Sequence, residues 1–215
     1  MNQEIAGIRI NYSKKSLSET EVAADPISQF NHWWQEAMES QISEVNAMTL
    51  ATADANGIPD ARIVLLKDVS EKGFVFFTNY ESRKGKELHE NPNACLVFFW
   101  KELERQVRIT GTVTRVSEAE SDAYFYSRPA SSQIGAIASP QSAVIPGRAF
   151  LDQQTQAITE RIASGQDIIR PAHWGGYQVT PVSVEFWQGR PSRLHDRLRY
   201  TRQEGLLWKI ERLAP

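Results

Sequence analysis

Cysteine is nearly absent: Cys95, inside the apolar run ACLVFFW, is the only one in 215 residues. A lone cysteine closes no internal disulfide, so the fold must rest on its own core, and Cys95 reads as a small buried hydrophobe. No apolar run reaches membrane-spanning length, and the opening MNQEIAGIRINYSKKSLSET holds no signal-like apolar stretch. A cytoplasmic protein without a membrane partner is therefore expected. Charge is almost balanced, 24 Lys and Arg against 26 Asp and Glu, for a net charge of -2. That lacks the basic excess of a nucleic-acid binder, so no nucleic-acid partner is expected. The histidines, His32, His89, His173 and His195, are scattered, with no H-E-x-x-H or C-x-x-C, so no metal site is expected. Glycine-rich phosphate loops and a G-x-S-x-G elbow are also missing, which leaves any catalysis to an organic cofactor.

What is present suits one globular domain, with 41% hydrophobic and 23% charged residues. Residues 1–25 are polar and aperiodic and read as a flexible arm, with a single domain over residues 26–215. PISQFNHWWQEAMESQI places Ile27, Phe30, Trp34 and Met38 at helical spacing behind Pro26. AMTLATAD, ARIVLLKDV, GFVFFTNY, ACLVFFWK and RQVRITGTVTRV are strand-length, β-branched and aromatic, with DANG and SEKG as turns. SRKGKELHENP reads as a short helix, and further helices follow in SEAESDAYFYSRP, SSQIGA and AFLDQQTQAITERIASG. The chain closes on strands in GGYQVTPVSVEFWQG, RLHDRLRYTR and GLLWKIERL. Strands at hairpin spacing with few crossover helices predict an α+β fold built on an antiparallel barrel, helices outside.

Three stretches carry candidate chemistry. In SRLHDRLRY, Arg193, His195 and Arg197 fall on every second residue, so an extended strand would put all three on one face. Such a face either converges on an anion or is an ordinary solvated edge. In NYESRKGKEL, Ser82 is the expected N-cap, which sets Arg83 and Lys84 in a first helical turn, where cations oppose the helix dipole unless an anion is bound. In YFYSRPASSQ, Tyr124 and Arg128 are helix-face neighbours, Pro129 stops the helix, and Ser131 or Ser132 is the expected cap of the next. A phosphate pocket and a plain helix connection both fit that stretch. Arg62 and Lys67 flank an apolar strand run, and Gln106 and Trp187 add an amide and a large aromatic.

Taken together, RIVLLK, FFTNYESRKGKEL, LERQVRITG, YFYSRPASSQIGA, SPQS, WGGYQVTPVSVEFWQG, RLHDR and WKIERLAP resemble the pyridoxamine 5'-phosphate oxidase family. The resemblance runs from about Arg9 to Pro215, with the motifs in family order; residues 143–170 carry nothing over. It implies an FMN-binding split β-barrel, non-covalent FMN and a homodimer with each flavin between subunits. The implied reaction is oxidation of pyridoxamine 5'-phosphate or pyridoxine 5'-phosphate to pyridoxal 5'-phosphate, a step in vitamin B6 biosynthesis and salvage. A hydride passes to flavin and O2 is reduced to H2O2.

By the same resemblance Arg62, Ile63, Val64, Leu65, Leu66 and Lys67 line the flavin, and Phe77 and Thr78 touch it. Arg83 and Lys84 hold its phosphate. Gln106, Gln141, Ser142, Trp187 and Arg197 complete that site. Lys67, Tyr124, Arg128 and Ser132 hold the substrate phosphate. Arg193 and His195, the implied catalytic pair, lie with Leu194 at the substrate ring, and Arg9, Ile10, Asn11 and Tyr12 close the site as a lid. A split-barrel flavin reductase using a nicotinamide donor and a non-catalytic carrier of FMN or pyridoxal phosphate are the competing readings.

Overall fold

The computed structural model describes residues 11–215. Its elements run α1 (Pro26–Glu39), β1 (Ala47–Ala53), β2 (Pro59–Leu65), β3 (Asp68–Ser70), β4 (Gly73–Asn79), α2 (Arg83–Glu90), β5 (Asn93–Trp100) and β6 (Arg105–Arg115). They continue α3 (Glu118–Ser127), α4 (Ala130–Ala138), α5 (Arg148–Ala163), β7 (Trp174–Gln188), β8 (Asp196–Arg202) and β9 (Trp208–Arg212). The expected α+β class holds. The strands form a sheet in the order β2-β1-β5-β6-β7-β4-β3, with β8 on β7 and β9 on β8. The ladders β3–β4, β4–β7, β7–β8 and β8–β9 are antiparallel.

The chain divides into two compact units. One, here the terminal unit, comprises residues up to 50 with 95–111 and 181–215; the other, the cavity unit, comprises 51–94 and 112–180. In the terminal unit, α1 is capped by Asp25, whose side chain accepts from the Ser28 amide, and Pro26 occupies its first turn. Phe30 is fully buried, 5.2 Å from Phe98, while Trp33 meets Phe186 edge-on at 5.2 Å. The buried stripe is thus Phe30, Trp33 and Ala37, not the expected Ile27, Phe30, Trp34 and Met38; Met38 is 51% exposed. Both stripes share Phe30. The one containing the small Ala37 lets the helix backbone approach the strands, and Trp33 also carries the Arg105 guanidinium 4.3 Å from its ring.

In the cavity unit, alternation along β2 leaves Ile63 and Leu65 exposed, and the next residue inward, Leu66, is buried. The expected strand ARIVLLKDV is broken between β2 and β3, and Lys67 sits in the break with its amide bonded to the Val75 carbonyl at 2.8 Å. Ser82 caps α2 as expected, accepting from the Gly85 amide. A capping box of Ser117 and Glu120 starts α3. Neither Ser131 nor Ser132 caps α4, however. Its N-cap is Pro129, whose carbonyl accepts the Ser132 and Gln133 amides, so both serines lie inside the first turn.

The stretch SRLHDRLRY also departs from expectation. The strand begins only at Asp196, because Pro191–Arg193 forms a tight turn in which Ser192 and Arg193 take left-handed φ values of 58° and 62°. Pro191 has no amide to offer a ladder, and its carbonyl instead accepts the Leu194 amide. Arg193, His195 and Arg197 therefore do not share one strand face.

Removing the ring at the centre of the terminal unit tests this packing. Phe30→Ala is expected to cost about 3–5 kcal/mol in urea unfolding, whereas a loss of less than about 1 kcal/mol would place Phe30 outside the core.

Candidate functional site

The cavity unit encloses a hollow of about 450 Å³. One wall is the apolar outer strand, Ile63, Val64 and Leu65, and another is formed by Phe77 and Thr78 of β4. Lys84 and Gln141 line it too, as do Tyr124, Arg128 and Ser132 from the α3–α4 corner. Lys67, Lys84 and Arg128 bring positive charge to this lining, and no carboxylate is among the lining residues.

Lys84 is buried, with its Nζ 3.2 Å from Thr78 Oγ1 and 3.1 Å from Gln141 Oε1. Burial lowers its pKa, and the Arg62 charge adds to this. Arg128 donates from Nη2 to the Ser132 carbonyl at 2.8 Å, and its guanidinium lies 4.7 Å over the Trp174 ring. Its Nη1 is buried and has no hydrogen-bond partner. Burial also pushes the Arg128 pKa down, but a guanidinium remains charged. A buried donor left unmade costs about 1–3 kcal/mol, which a bound anion would recover.

Aromatic stacking holds this corner. Phe77 lies 4.0 Å from Tyr124 and 5.6 Å from Trp174, all three rings nearly parallel. Gly176 makes room for it: a Cβ there would come within 2.8 Å of Phe77 Cε1 and 2.6 Å of Val116 Cγ2. Any larger residue would push Phe77 out of the stack. Lys67 Nζ lies 5.8 Å from the Tyr124 ring centre, within cation–π reach.

The remaining cations of this unit are differently placed. Arg62 pairs with Asp60 at 2.7 Å and Glu87 at 3.1 Å, and Arg83 pairs with Glu87 at 2.9 Å and Asp60 at 3.1 Å. Burial disfavours the Glu87 carboxylate, yet hydrogen bonds from Thr52, Arg83 and Arg62 hold it below its ordinary range. Arg83 is thus parted from its neighbour Lys84: it borders a separate depression with Gln141 and Ser142, where Ser142 is exposed at φ 72°. Leu66 belongs to the core and does not line the hollow.

In the terminal unit a second group assembles. The His195 ring lies 4.6 Å from Trp187 and 5.8 Å from Tyr12, and Tyr12 meets Trp187 edge-on at 5.7 Å. His195 Nδ1 accepts the Arg190 amide at 3.1 Å, so the neutral ring carries its proton on Nε2. Burial lowers the His195 pKa, and the Arg193 charge lowers it further. Arg193, Leu194 and Asn11 are exposed, and Gln106 is half-buried on β6. Arg197 donates from Nε to Glu185 at 2.8 Å and from Nη1 to the Ala214 carbonyl at 2.8 Å. Arg9 and Ile10 lie outside the described residues.

Sequence reasoning missed Trp174, the ring beneath Arg128. Its signal was the sequence HWGGYQV, where paired glycines after a tryptophan mark a close approach of backbone and rings. Ser139 and Asn79 also line the hollow without having been singled out.

Comparison with known proteins agrees with this geometry. Residues 34–161 match the family model described as pyridoxamine 5'-phosphate oxidase, and residues 174–215 match the pyridoxine 5'-phosphate oxidase C-terminal dimerisation region. The chain is 58% identical over 213 residues to a pyridoxine/pyridoxamine 5'-phosphate oxidase of Burkholderia lata, covering 98% of this chain and 99% of that one. A Burkholderia mallei protein of the same name is 57% identical over the same shares. Among solved structures, PhzG from Burkholderia lata, in complex with tetrahydrophenazine-1-carboxylic acid, aligns with a TM-score of 0.86 at 30% identity, over 94% of this chain and 98% of that one. A pyridoxamine 5'-phosphate oxidase-related, FMN-binding protein of Nostoc punctiforme aligns with a TM-score of 0.70 at 18% identity, over 90% of this chain and 100% of that one. That likeness shows the fold, the split barrel expected from the sequence.

Two measurements test the charge assignments. Hydrogen bonds to a charged group contribute about 1.5–3 kcal/mol, so Arg128→Leu should weaken inorganic phosphate binding about 10- to 150-fold in calorimetry of the flavin-free protein; unchanged affinity would contradict the assignment. By NMR titration His195 should be neutral at pH 7 and take up a proton only below its ordinary value of 6.5. A folded-state pKa below the unfolded one adds stability that is present above pH 6.5 and lost as the pH falls through the lowered value. A midpoint above 6.5 would contradict the half-buried, amide-bonded ring.

Proposed function

The chain belongs to the pyridoxine/pyridoxamine 5'-phosphate oxidase family, and from that premise we propose that it oxidises pyridoxamine 5'-phosphate and pyridoxine 5'-phosphate to pyridoxal 5'-phosphate on non-covalent FMN, with O2 reduced to H2O2. One observation carries the proposal: a single hollow holds Lys67, Lys84 and Arg128 without a lining carboxylate, and one Arg128 nitrogen is buried and unbonded. Two phosphate-bearing molecules, a cofactor and a substrate, would supply the missing negative charge. The apolar edge Ile63–Leu65 suits a flat ring system.

FMN suits these residues. In this reading the strand from Arg62 to Lys67 meets it through backbone groups, Leu66 keeping its side chain in the core, while Phe77, Thr78, Arg83, Lys84, Gln141 and Ser142 hold it, and Gln106, Trp187 and Arg197 complete its site in a homodimer. The match of residues 174–215 to a dimerisation region supports that assembly. When bound, the flavin supplies a two-electron acceptor that O2 regenerates. The chain's own residues then bind and orient. Lys67, Tyr124, Arg128 and Ser132 hold the substrate phosphate, and anchoring that remote group restricts the ring to a productive position. Arg193 contributes a cation and His195 an Nε2–H donor toward the substrate ring, while Asn11 and Tyr12 cover it; Arg9 and Ile10, assigned to the same cover, lie outside the described residues.

A second reading, oxidation of a ring compound bearing a carboxylate, is favoured by the TM-score of 0.86 to PhzG. The 58% identity to the named oxidase and the number of unopposed cations support the phosphate-bearing substrate instead.

Anaerobic mixing decides between them. With FMN bound, pyridoxine 5'-phosphate should bleach the blue flavin absorbance, and pyridoxine at the same concentration should not. Bleaching by a reduced phenazine carboxylate alone would favour the second reading, and bleaching by a nicotinamide donor alone would overturn both.

A further inference from the structure

Glu104 is the one non-glycine residue between β5 and β6 that adopts a left-handed conformation, at φ 54° and ψ 41°, where glycine or asparagine is the usual occupant. It is also buried, at 8% exposure, and no cation reaches its carboxylate among the described residues. Its partners are backbone amides. Oε2 accepts the Ser13 amide at 2.9 Å and the Lys14 amide at 3.1 Å, two consecutive donors on one oxygen. Its main chain is engaged as well, the carbonyl accepting the Gly189 amide at 2.7 Å and Gln188 Nε2 at 3.2 Å. One residue thereby joins the N-terminal segment, the β5–β6 turn and the end of β7.

The segment held in this way delivers Tyr12 against Trp187 and His195. Gly189 leaves the space for it: a Cβ at that position would lie 2.7 Å from Tyr12 Cγ and 3.0 Å from Glu104 Cβ. Farther along, the segment has other ties. Lys15 pairs with Glu36, the Lys15 carbonyl accepts from Arg190, and Asp196 accepts the Leu17 amide at 3.1 Å. Lys14 also donates from Nζ to the Glu102 carbonyl, so the Glu104 carboxylate is the hold on the backbone of residues 13 and 14, directly beside Tyr12.

We propose that Glu104 is a positioning residue, which seats Tyr12 beside Trp187 and His195 and so holds the N-terminal segment over the substrate. This rests on the reading above, in which Tyr12 and His195 face the substrate. It accounts for a glutamate at a backbone position that favours glycine: the carboxylate is needed, and the strained backbone aims it.

The FMN-loaded protein with Glu104→Gly, Glu104→Gln and Gly189→Ala tests it. Glycine suits the left-handed backbone, so the first variant should keep its melting temperature and its flavin. With two charge-assisted amide bonds gone, tryptic cleavage after Lys14 and Lys15 should speed up about tenfold or more, and KM for pyridoxine 5'-phosphate should rise about tenfold with kcat within about twofold. Glu104→Gln retains an acceptor oxygen and should fall between the glycine variant and the native protein on both readouts. Gly189→Ala, which crowds Tyr12 most closely while retaining the Glu104 carboxylate, should raise KM in the same way. Cleavage of Glu104→Gly no faster than that of the native protein would overturn the proposal. Faster cleavage with unchanged KM would uphold the hold on the segment and overturn its role over the substrate, which is a failure of the functional reading and not of the contact.

Discussion

Positive charge that is buried or half-buried and makes no salt bridge, that of Lys84 and Arg128, is the constraint on which the rest of the cavity unit depends. Taking an ammonium or guanidinium out of water is costly unless a partner of opposite charge accompanies it. Lys84 hydrogen-bonds to a hydroxyl and an amide oxygen, with Asp60 and Glu87 acting on it only through their charge, and Arg128 donates to a carbonyl and lies over the Trp174 and Phe125 rings. The surrounding structure serves to hold them there regardless. The stack of Phe77, Tyr124 and Trp174, the space left by Gly176 and the capping box that starts α3 all fix the corner from which Arg128 projects.

Elsewhere among the described residues, several arginines are paired with carboxylates. Arg170, whose side chain is almost fully covered, pairs with Asp122 and Glu118 of α3. Arg108 and Arg197 converge on the buried Glu185, and Arg62 and Arg83 share Asp60 and Glu87. The contrast gives the unopposed cations their meaning. A protein with a net charge of -2 has carboxylates to place, and none of them lines the hollow. In the proposed reading a local lack of lining carboxylates, not overall basicity, is what would take up phosphate.

Much of this was legible in the residues. Strand-length runs of β-branched and aromatic residues marked GFVFFTNY and ACLVFFWK as strands, and the spacing of Tyr124 and Arg128 placed them together because a helix repeats every 3.6 residues. What was not legible is tertiary in origin. Arg83 and Lys84 look equivalent in SRKGKEL, and only the fold shows that the first pairs with Glu87 and Asp60 while the second lines the hollow. The face of α1 turned on the small Ala37, not on the larger apolar residues nearby. The period-two pattern in SRLHDRLRY misled because Pro191, just upstream, forms a turn that ends at Arg193. Trp174 was invisible as a site residue because its role is to support Arg128 from below.

The ionisation state of a bound phosphate tests the central claim most directly. A free phosphate monoester loses its second proton near pH ~6, and unopposed cations must favour the dianion. Phosphorus NMR of pyridoxal 5'-phosphate bound to the protein, followed from neutral to acidic pH, reads that state. The account predicts a bound phosphate that stays dianionic well below pH ~6, and less so in Arg128→Leu. A bound phosphate that titrates as it does free in solution would contradict it.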